Sequence, residues 1–172
     1  MNVDYFIARL SNNLQVFAGL LRNVDAGQAA WKPSADEWSI LEVINHLYDE
    51  ERDDFRTRLA LTLSDPDRDW PPIDPPTWVI ERRYNERHLD SSFNDFAAER
   101  DKSLSWLKSL KEPRWELTHL TPNGSRTAGD LLASWLAHDF LHIRQLTRLN
   151  WQHAALVAAP FQTAYAGPWK ES

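Results

Sequence analysis

The stretch WLAHDFLHIRQL, residues 135–146, places two histidines four positions apart in a segment with a helical pattern. One side of this predicted helix carries Leu131, Trp135, His138, His142, Leu146 and Leu149. Because an α-helix turns about 100° per residue, positions four apart lie on the same face. His138 and His142 should therefore project inwards side by side. Buried imidazoles need hydrogen bonds or a metal ion to compensate for lost hydration.

Three more segments show the apolar period of amphipathic helices. They run from about Val3 to Asn23, from Ile40 to about Leu63, and from about Asp90 to near Pro113. Together with the helix that carries His138, they predict an all-α protein, a four-helix bundle in one domain over residues 1–172. The arrangement of the helices in space is left open by the sequence.

Two helix starts have local signatures. Ser39 is followed three residues later by Glu42, and Thr127 by Asp130, which is the spacing of a capping box. The helices that contain His46 and His138 should begin at these positions. TPNGSR, residues 121–126, is predicted to be a turn.

The connection between helices two and three is long and rich in proline. SDPDRDWPPIDPPTW, residues 64–78, contains five prolines and cannot be the interior of a helix. We expect a long crossover here, and a short C-terminal extension beyond Asn150, where Pro160 and Pro168 interrupt an apolar segment. Long ordered loops often take part in function, although many only connect helices.

The composition narrows the function classes. Apolar residues make up 42% and charged residues 26%, as in a soluble globular protein. The absence of cysteine excludes disulfides and thiolate ligands, so a metal site would use histidine and carboxylate. The net charge of −6, without a basic run, disfavours nucleic acid. No secretory signal or membrane-spanning segment is predicted, and we expect a cytoplasmic protein.

A third histidine lies in WSILEVINHLYDEE, residues 38–51. His46 is at the inner margin of helix two, where it could meet His138 and His142 at one ion. Three imidazoles leave coordination positions open, as in catalytic rather than structural zinc sites. Alternatively, His46 only borders the core and bonds to Glu42 or Glu50.

These motifs resemble the DinB superfamily, including its YfiT-like members. The resemblance covers roughly residues 30–150 and rests on one histidine in helix two, HxxxH in helix four and the third-helix region between them. It implies a four-helix bundle in which His46, His138 and His142 bind one divalent ion, zinc or nickel in the first place. It also implies a metal-dependent enzyme, either a transferase that uses a small thiol cosubstrate or, alternatively, a hydrolase. A metal-binding bundle without catalysis is the third reading.

Other site residues are predicted from their positions. Glu50, one helical turn from His46, is a candidate for orienting that ring or acting as a base. Trp78 and Tyr84 are candidates for a wall of the metal pocket, if the crossover folds back over the site. The expected partner is a small molecule, with a homodimer left open.

The remaining charged and titratable residues are expected to be ordinary. A solvated helix face explains the acidic run YDEERDD, residues 48–54. Asp139 should face an adjacent helix. His88 and His153 are expected to be surface residues without a role. His119 precedes a turn and could approach the site, but a loop histidine is expected to be exposed.

Overall fold

The computed structural model describes residues 1–122 and 124–170. Its long helices are α1 (Val3–Leu21), α3 (Ile40–Asp49) continued by α4 (Arg56–Ser64), α6 (Leu89–Ser109) and α7 (Ala128–Val157). Short helices occur at α2 (Ala26–Ala30), α5 (Pro75–Glu81), and in 3₁₀ form at Tyr84–Glu86 and Ala164–Ala166. The strands β1 (Thr118–Thr121) and β2 (Gly124–Thr127) form a hairpin before α7.

Both predicted capping boxes are present. The Ser39 hydroxyl accepts from the Glu42 amide at 3.1 Å, and the Glu42 carboxylate accepts from the Ser39 amide at 2.8 Å. Thr127 and Asp130 exchange the same pair of bonds, at 3.0 and 2.9 Å. These bonds satisfy amides that have no partner within the helix, so α3 and α7 begin where the spacing predicts.

The four long helices pack as a bundle. α1 lies against α6 and α7, α3 against α6 and α7, and α4 against α7. The apolar core consists of two clusters. One contains Ile7, Leu10, Phe55, Leu59, Leu104, Leu107, Ala128, Leu131, Leu132, Trp135 and Leu136. The other contains Leu14, Phe17, Leu21, Ile40, Val43, Ile44, Leu47, Phe96, Leu146 and Leu149.

The predicted second helix is not uniform. Between α3 and α4, residues Glu50–Phe55 form a π-helix, and the Thr57 hydroxyl donates to the carbonyl oxygen of Arg52, five residues earlier, at 2.8 Å. A π-turn adds a residue to a helical turn, and such turns occur often at functional sites. Here it lies directly after the turn that carries His46.

Three connections are more ordered than the sequence suggests. The segment before α3 contains α2, the crossover contains α5 and a 3₁₀ turn, and the predicted turn at 121–126 is the end of a hairpin. Asn123, within that turn, lies outside the described residues. Gly124 follows with φ of +108°, a backbone conformation that glycine adopts without strain.

None of the helices in the described part of the chain is both long and apolar enough to cross a membrane.

Candidate metal centre

Three imidazoles from two helices converge on one point. The Nε2 atom of His138 lies 3.3 Å from Nε2 of His46 and 3.0 Å from Nε2 of His142. One nitrogen from each of the three rings lies within 4.8 Å of the others. His46 and His142 are buried, with 5% and 9% of their surface exposed, and His138 is partly buried. The structure thus brings together the three histidines that the sequence singles out.

A hydrogen bond sets the tautomer of one ring. Nδ1 of His142 lies 2.8 Å from Oε1 of Gln145, three residues along the same helix. An amide oxygen only accepts, so Nδ1 carries the proton and Nε2 presents its lone pair to the shared point. Gln145 was not among the residues predicted from the sequence, although its position one turn after His142 was a usable signal.

Two aromatic rings pack against the histidines among the described residues. The Trp38 ring lies 4.9 Å from His46 between centroids, and the Phe55 ring 5.1 Å from His138. These rings make the surroundings of the nitrogens apolar on two sides. Neither contact has a signature in the sequence, because each ring reaches the site by tertiary packing.

The imidazoles are held neutral. Burial, and then the nearby His142 and His138, lower the pKa of His46 to about 2. Burial and the adjacent His142 lower the pKa of His138 to about 3. Burial also lowers the pKa of His142, against the opposing effect of its bond to Gln145. Neutral imidazole is the form that binds metal ions.

The geometry fits a divalent ion. Two nitrogens at about 2.0–2.1 Å from one ion are roughly 2.9–3.4 Å apart in octahedral or tetrahedral coordination. Two of the observed separations, 3.0 and 3.3 Å, fall in this range. Each neutral imidazole has only one N–H, so without an ion some of the nitrogens that face one another would be lone pairs without a donor. The donor set and its spacing could therefore hold a metal ion.

Glu50 lies beside the site, as its spacing predicts. One carboxylate oxygen is 3.9 Å from Nδ1 of His46, and both atoms are buried without a hydrogen bond among the described residues. Burial, followed by the neighbouring Asp54, raises the pKa of Glu50 to about 9. Glu50 is thus placed to hold the Nδ1 side of His46. Its assignment as a base stays a prediction.

The expectation that the acidic run at 48–54 is a solvated face is wrong for most of it. Asp49, Glu50, Glu51 and Asp54 are all buried. Three of them have side-chain partners: Arg82 and Tyr84 for Asp49, Arg100 for Glu51, and Arg58 for Asp54. Since the partners of Asp49 and Glu51 come from distant segments, the local sequence could not reveal the burial of these two residues.

Trp78 and Tyr84 lie on segments that pack against α3. The buried Tyr84 hydroxyl donates to Asp49, and the Trp78 ring carries the Arg82 guanidinium 3.9 Å from its centroid. Both residues therefore support the side of α3 that carries Asp49. A role in the wall of the metal pocket stays a prediction for both.

The other histidines differ from one another. His88 is exposed at the start of α6, as expected. His153 is partly buried, with its ring 5.4 Å from that of Trp31. For His119 the expectation of a surface position is wrong, since only 6% is exposed. Its ring stacks on Trp70 at 4.3 Å, and its Nδ1 lies 2.8 Å from the Pro66 carbonyl oxygen, so it anchors the crossover to the hairpin.

A cavity of about 380 Å³ lies behind two residues that contact the histidines, and none of the three histidines lines it. It is lined by Asp36, Glu37, Trp38, Gln145, Arg148, Leu149 and Gln152. Two of these residues, Trp38 and Gln145, contact His46 and His142 directly. The size is that of a pocket for a small ligand.

A scan against protein-family models matches residues 9–146 to the DinB superfamily. The chain belongs to the DinB superfamily. No curated protein sequence matches it significantly. The matched region of this DinB protein contains His46, His138 and His142.

Two solved structures share the fold of this DinB protein. YfiT from Bacillus subtilis, described as a "probable metal-dependent hydrolase with an unusual four-helix bundle topology", superposes with a TM-score of 0.78. The match is 17% identical and covers 88% of this chain and 87% of that one. A mutant of the mycothiol-dependent maleylpyruvate isomerase matches with a TM-score of 0.67 and 12% identity. That match covers 85% of this chain and 61% of the isomerase chain, so part of the isomerase has no counterpart here.

Proposed function

We propose that this DinB protein is a divalent-metal-dependent enzyme whose ion is bound by His46, His138 and His142. The observation that carries the proposal is the convergence of three neutral imidazoles, with Nε2 separations of 3.0 and 3.3 Å across two helices. Among the described residues, no carboxylate or fourth imidazole joins this group. A site with three protein ligands keeps a position for substrate, as catalytic sites do. Zinc and nickel are the ions that we expect first.

The bound ion would supply a Lewis acid that polarises a carbonyl or stabilises a thiolate. The protein's own residues do the rest. Gln145 holds His142 in the tautomer that presents Nε2, and Glu50 lies on the Nδ1 side of His46. Trp38 and Phe55 exclude water from two sides of the rings. These contacts keep the ligand nitrogens oriented and neutral before an ion binds.

We further propose that the reaction is the transfer or isomerisation of a substrate with a low-molecular-weight thiol as cosubstrate. The chain contains no cysteine, so a nucleophilic sulfur has to come from outside the protein. The shared fold of the mycothiol-dependent isomerase supports this class. The cavity next to Trp38 and Gln145 offers room for a molecule of this size.

A metal-dependent hydrolase is the second candidate. It is supported by the fold shared with YfiT over most of both chains. Burial raises the pKa of Glu50, the carboxyl group next to His46, to about 9, so in a hydrolase the bound ion rather than Glu50 would activate the attacking water.

Metal binding is tested on protein purified without a histidine tag. Elemental analysis and Co²⁺ titration followed by visible absorption should show one ion per chain. His46→Ala, His138→Ala and His142→Ala should each lose the ion and keep their helical circular dichroism, because apolar burial supplies most of the stability. His88→Ala is the control, since that ring is exposed. Cooperative unfolding on metal removal would instead indicate a structural site and a bundle without catalysis.

The thiol proposal is tested on the Co²⁺ form. Addition of bacillithiol, mycothiol or cysteine should produce the near-ultraviolet charge-transfer absorption of a thiolate bound to Co²⁺. Methionine, which has no thiol, serves as the control ligand. Spectra that no thiol changes, together with ester hydrolysis in the absence of thiol, would favour the hydrolase.

A further inference from the structure

A layer of polar residues crosses the core between its two apolar clusters. Each of the four long helices contributes one member: Asn13, Glu51, Arg100 and Asp139. Each of the four has at most 2% of its surface exposed. On every helix the residues of one apolar cluster precede this position and those of the other follow it.

The polar layer is almost fully hydrogen-bonded within itself. The Arg100 guanidinium donates to both carboxylate oxygens of Asp139, at 2.7 and 2.8 Å, and to Glu51 at 2.9 Å. It also donates to the carbonyl oxygen of Leu10 at 3.1 Å. Asp139 accepts from the Asn13 amide at 3.1 Å. Glu51 accepts in addition from the Trp135 indole at 2.9 Å. One guanidinium thus joins all four helices of the bundle.

Such a layer is a poor source of stability. Removing charges from water costs free energy that their mutual attraction barely returns, and apolar residues of the same volume often stabilise a protein as much or more. A buried polar position has a better documented effect on register, because only one alignment of the helices satisfies all the groups.

Along the two helices that carry His46 and His138, the polar layer lies within about one and a half turns of the histidines. Asp139 directly follows His138, and Trp135 precedes His138 by less than one turn. The network therefore bonds to α7 on both sides of this ligand. Glu51 lies five residues after His46 on the facing segment. A slip of α7 by one turn would move its histidines by about 5.4 Å. That exceeds the 3.3 Å that separates Nε2 of His46 and His138.

We infer that Arg100, Glu51 and Asp139 are positioning residues for the metal site: they set the register and rotation of α7 against the segment that carries His46. The inference rests on the proposed metal site. The network then aligns the ligands, whereas the two apolar clusters supply the stability of the bundle. Loss of the network should therefore weaken metal binding more than it weakens the fold.

The first test is Arg100→Lys in the full-length protein. Lysine keeps the positive charge but cannot donate in the forked geometry that holds Asp139 and Glu51 together. We expect the dissociation constant for Co²⁺ to rise by about tenfold or more, the size of effect seen when groups that orient metal ligands are changed. The Co²⁺ visible spectrum should also change, because the three nitrogens no longer meet at the same angles.

The matched control is Arg83→Lys. Arg83 is exposed and pairs with the Glu86 carboxylate three residues along the chain, outside the polar layer. This variant undergoes the same chemical change and should keep the Co²⁺ affinity of the unchanged protein. Equal weakening in both variants, or unchanged affinity in Arg100→Lys, would overturn the inference.

A second variant covers the case in which Arg100→Lys does not fold. The triple change Glu51→Met, Arg100→Met and Asp139→Leu replaces the charges by apolar groups. It should remain folded, with some stability lost because the Asn13 amide and the Trp135 indole lose their acceptors, and bind Co²⁺ at least tenfold more weakly. Retention of full affinity in this variant would also overturn the inference.

A readout without metal separates the two proposals. In the metal-free protein, nuclear Overhauser contacts between the His46 and His138 rings should be present and should weaken in Arg100→Lys. Absence of Co²⁺ binding in the unchanged protein refutes the metal proposal, whereas the ring contacts still decide whether the network aligns the histidines. Ring contacts that persist unchanged in the variant refute the alignment.

Discussion

Replacement of His46 by glutamine should make the stability of the metal-free protein less sensitive to acid. Burial lowers the pKa of His46 from 6.5 to about 2 in the folded protein. In the unfolded chain the ring takes up a proton below about pH 6.5, whereas in the folded protein it stays neutral. His46 therefore contributes stability above pH 6.5, and this contribution is lost as the pH falls towards the folded value.

The magnitude follows from the width of that pH interval. Each pH unit between the two pKa values is worth about 1.36 kcal/mol. A pH of about 5 lies roughly 1.5 units below the pKa of His46 in the unfolded chain. Protonation of His46 then stabilises the unfolded chain by about 2 kcal/mol. Glutamine cannot be protonated, so the difference in unfolding free energy between the two proteins should shrink by about 2 kcal/mol between about pH 7.5 and pH 5.

The assay is urea unfolding followed by circular dichroism, in EDTA, at several pH values. The other titrating groups occur in both proteins and largely cancel in the difference. His88→Gln is the matched control, because its ring is exposed and its difference should not depend on pH. A His46→Gln difference that stays constant over this range would refute the argument that His46 is held neutral by burial.

Three further predictions concern separate contacts. Gln145→Leu removes the acceptor of His142 Nδ1 and should weaken Co²⁺ binding by about tenfold or more; unchanged affinity would contradict the assigned tautomer. Ser39→Ala breaks the capping box of α3 and should lower the unfolding free energy by about 1 kcal/mol, measured in urea, while Ser125→Ala, an exposed control, should lower it little. Leu132→Ala empties a fully buried position and should lower the unfolding free energy in urea by about 2–5 kcal/mol. Its Co²⁺ affinity should stay unchanged. A parallel loss of affinity would contradict the assignment of stability to the apolar clusters and of ligand alignment to the polar layer.

The features that could be predicted from the sequence are those carried by neighbouring residues. The starts of α3 and α7 depend on side chains three positions from the cap, as at Ser39 and Glu42, so the motif contains both partners. His138 and His142 lie on the same face of α7 because they are four residues, about one helical turn, apart. His46 was placed near them by its inward position and by the resemblance, and the family and bundle are confirmed.

The features that escaped prediction depend on partners far along the chain. Glu51 is buried because Arg100, 49 residues later, reaches it. His119 is buried because the crossover, 53 residues earlier, supplies the Pro66 carbonyl oxygen. The π-helix after α3 has no signature in a pattern of apolar residues, since charged side chains occupy its turn. In each case the local composition resembles that of a solvated surface.

The unequal division of the ligands between two helices has a consequence for folding. His138 and His142 lie within one turn of α7, so a chain that has formed only this turn already presents two nitrogens to an ion. Metal can then bind molecules that have not yet assembled the bundle. Affinity for such molecules reduces the stabilisation that an excess of metal provides, which otherwise grows with the logarithm of its concentration. The same early capture could pair two chains through their α7 helices before either receives His46, so refolding in excess metal should yield more aggregate than refolding in EDTA followed by metal.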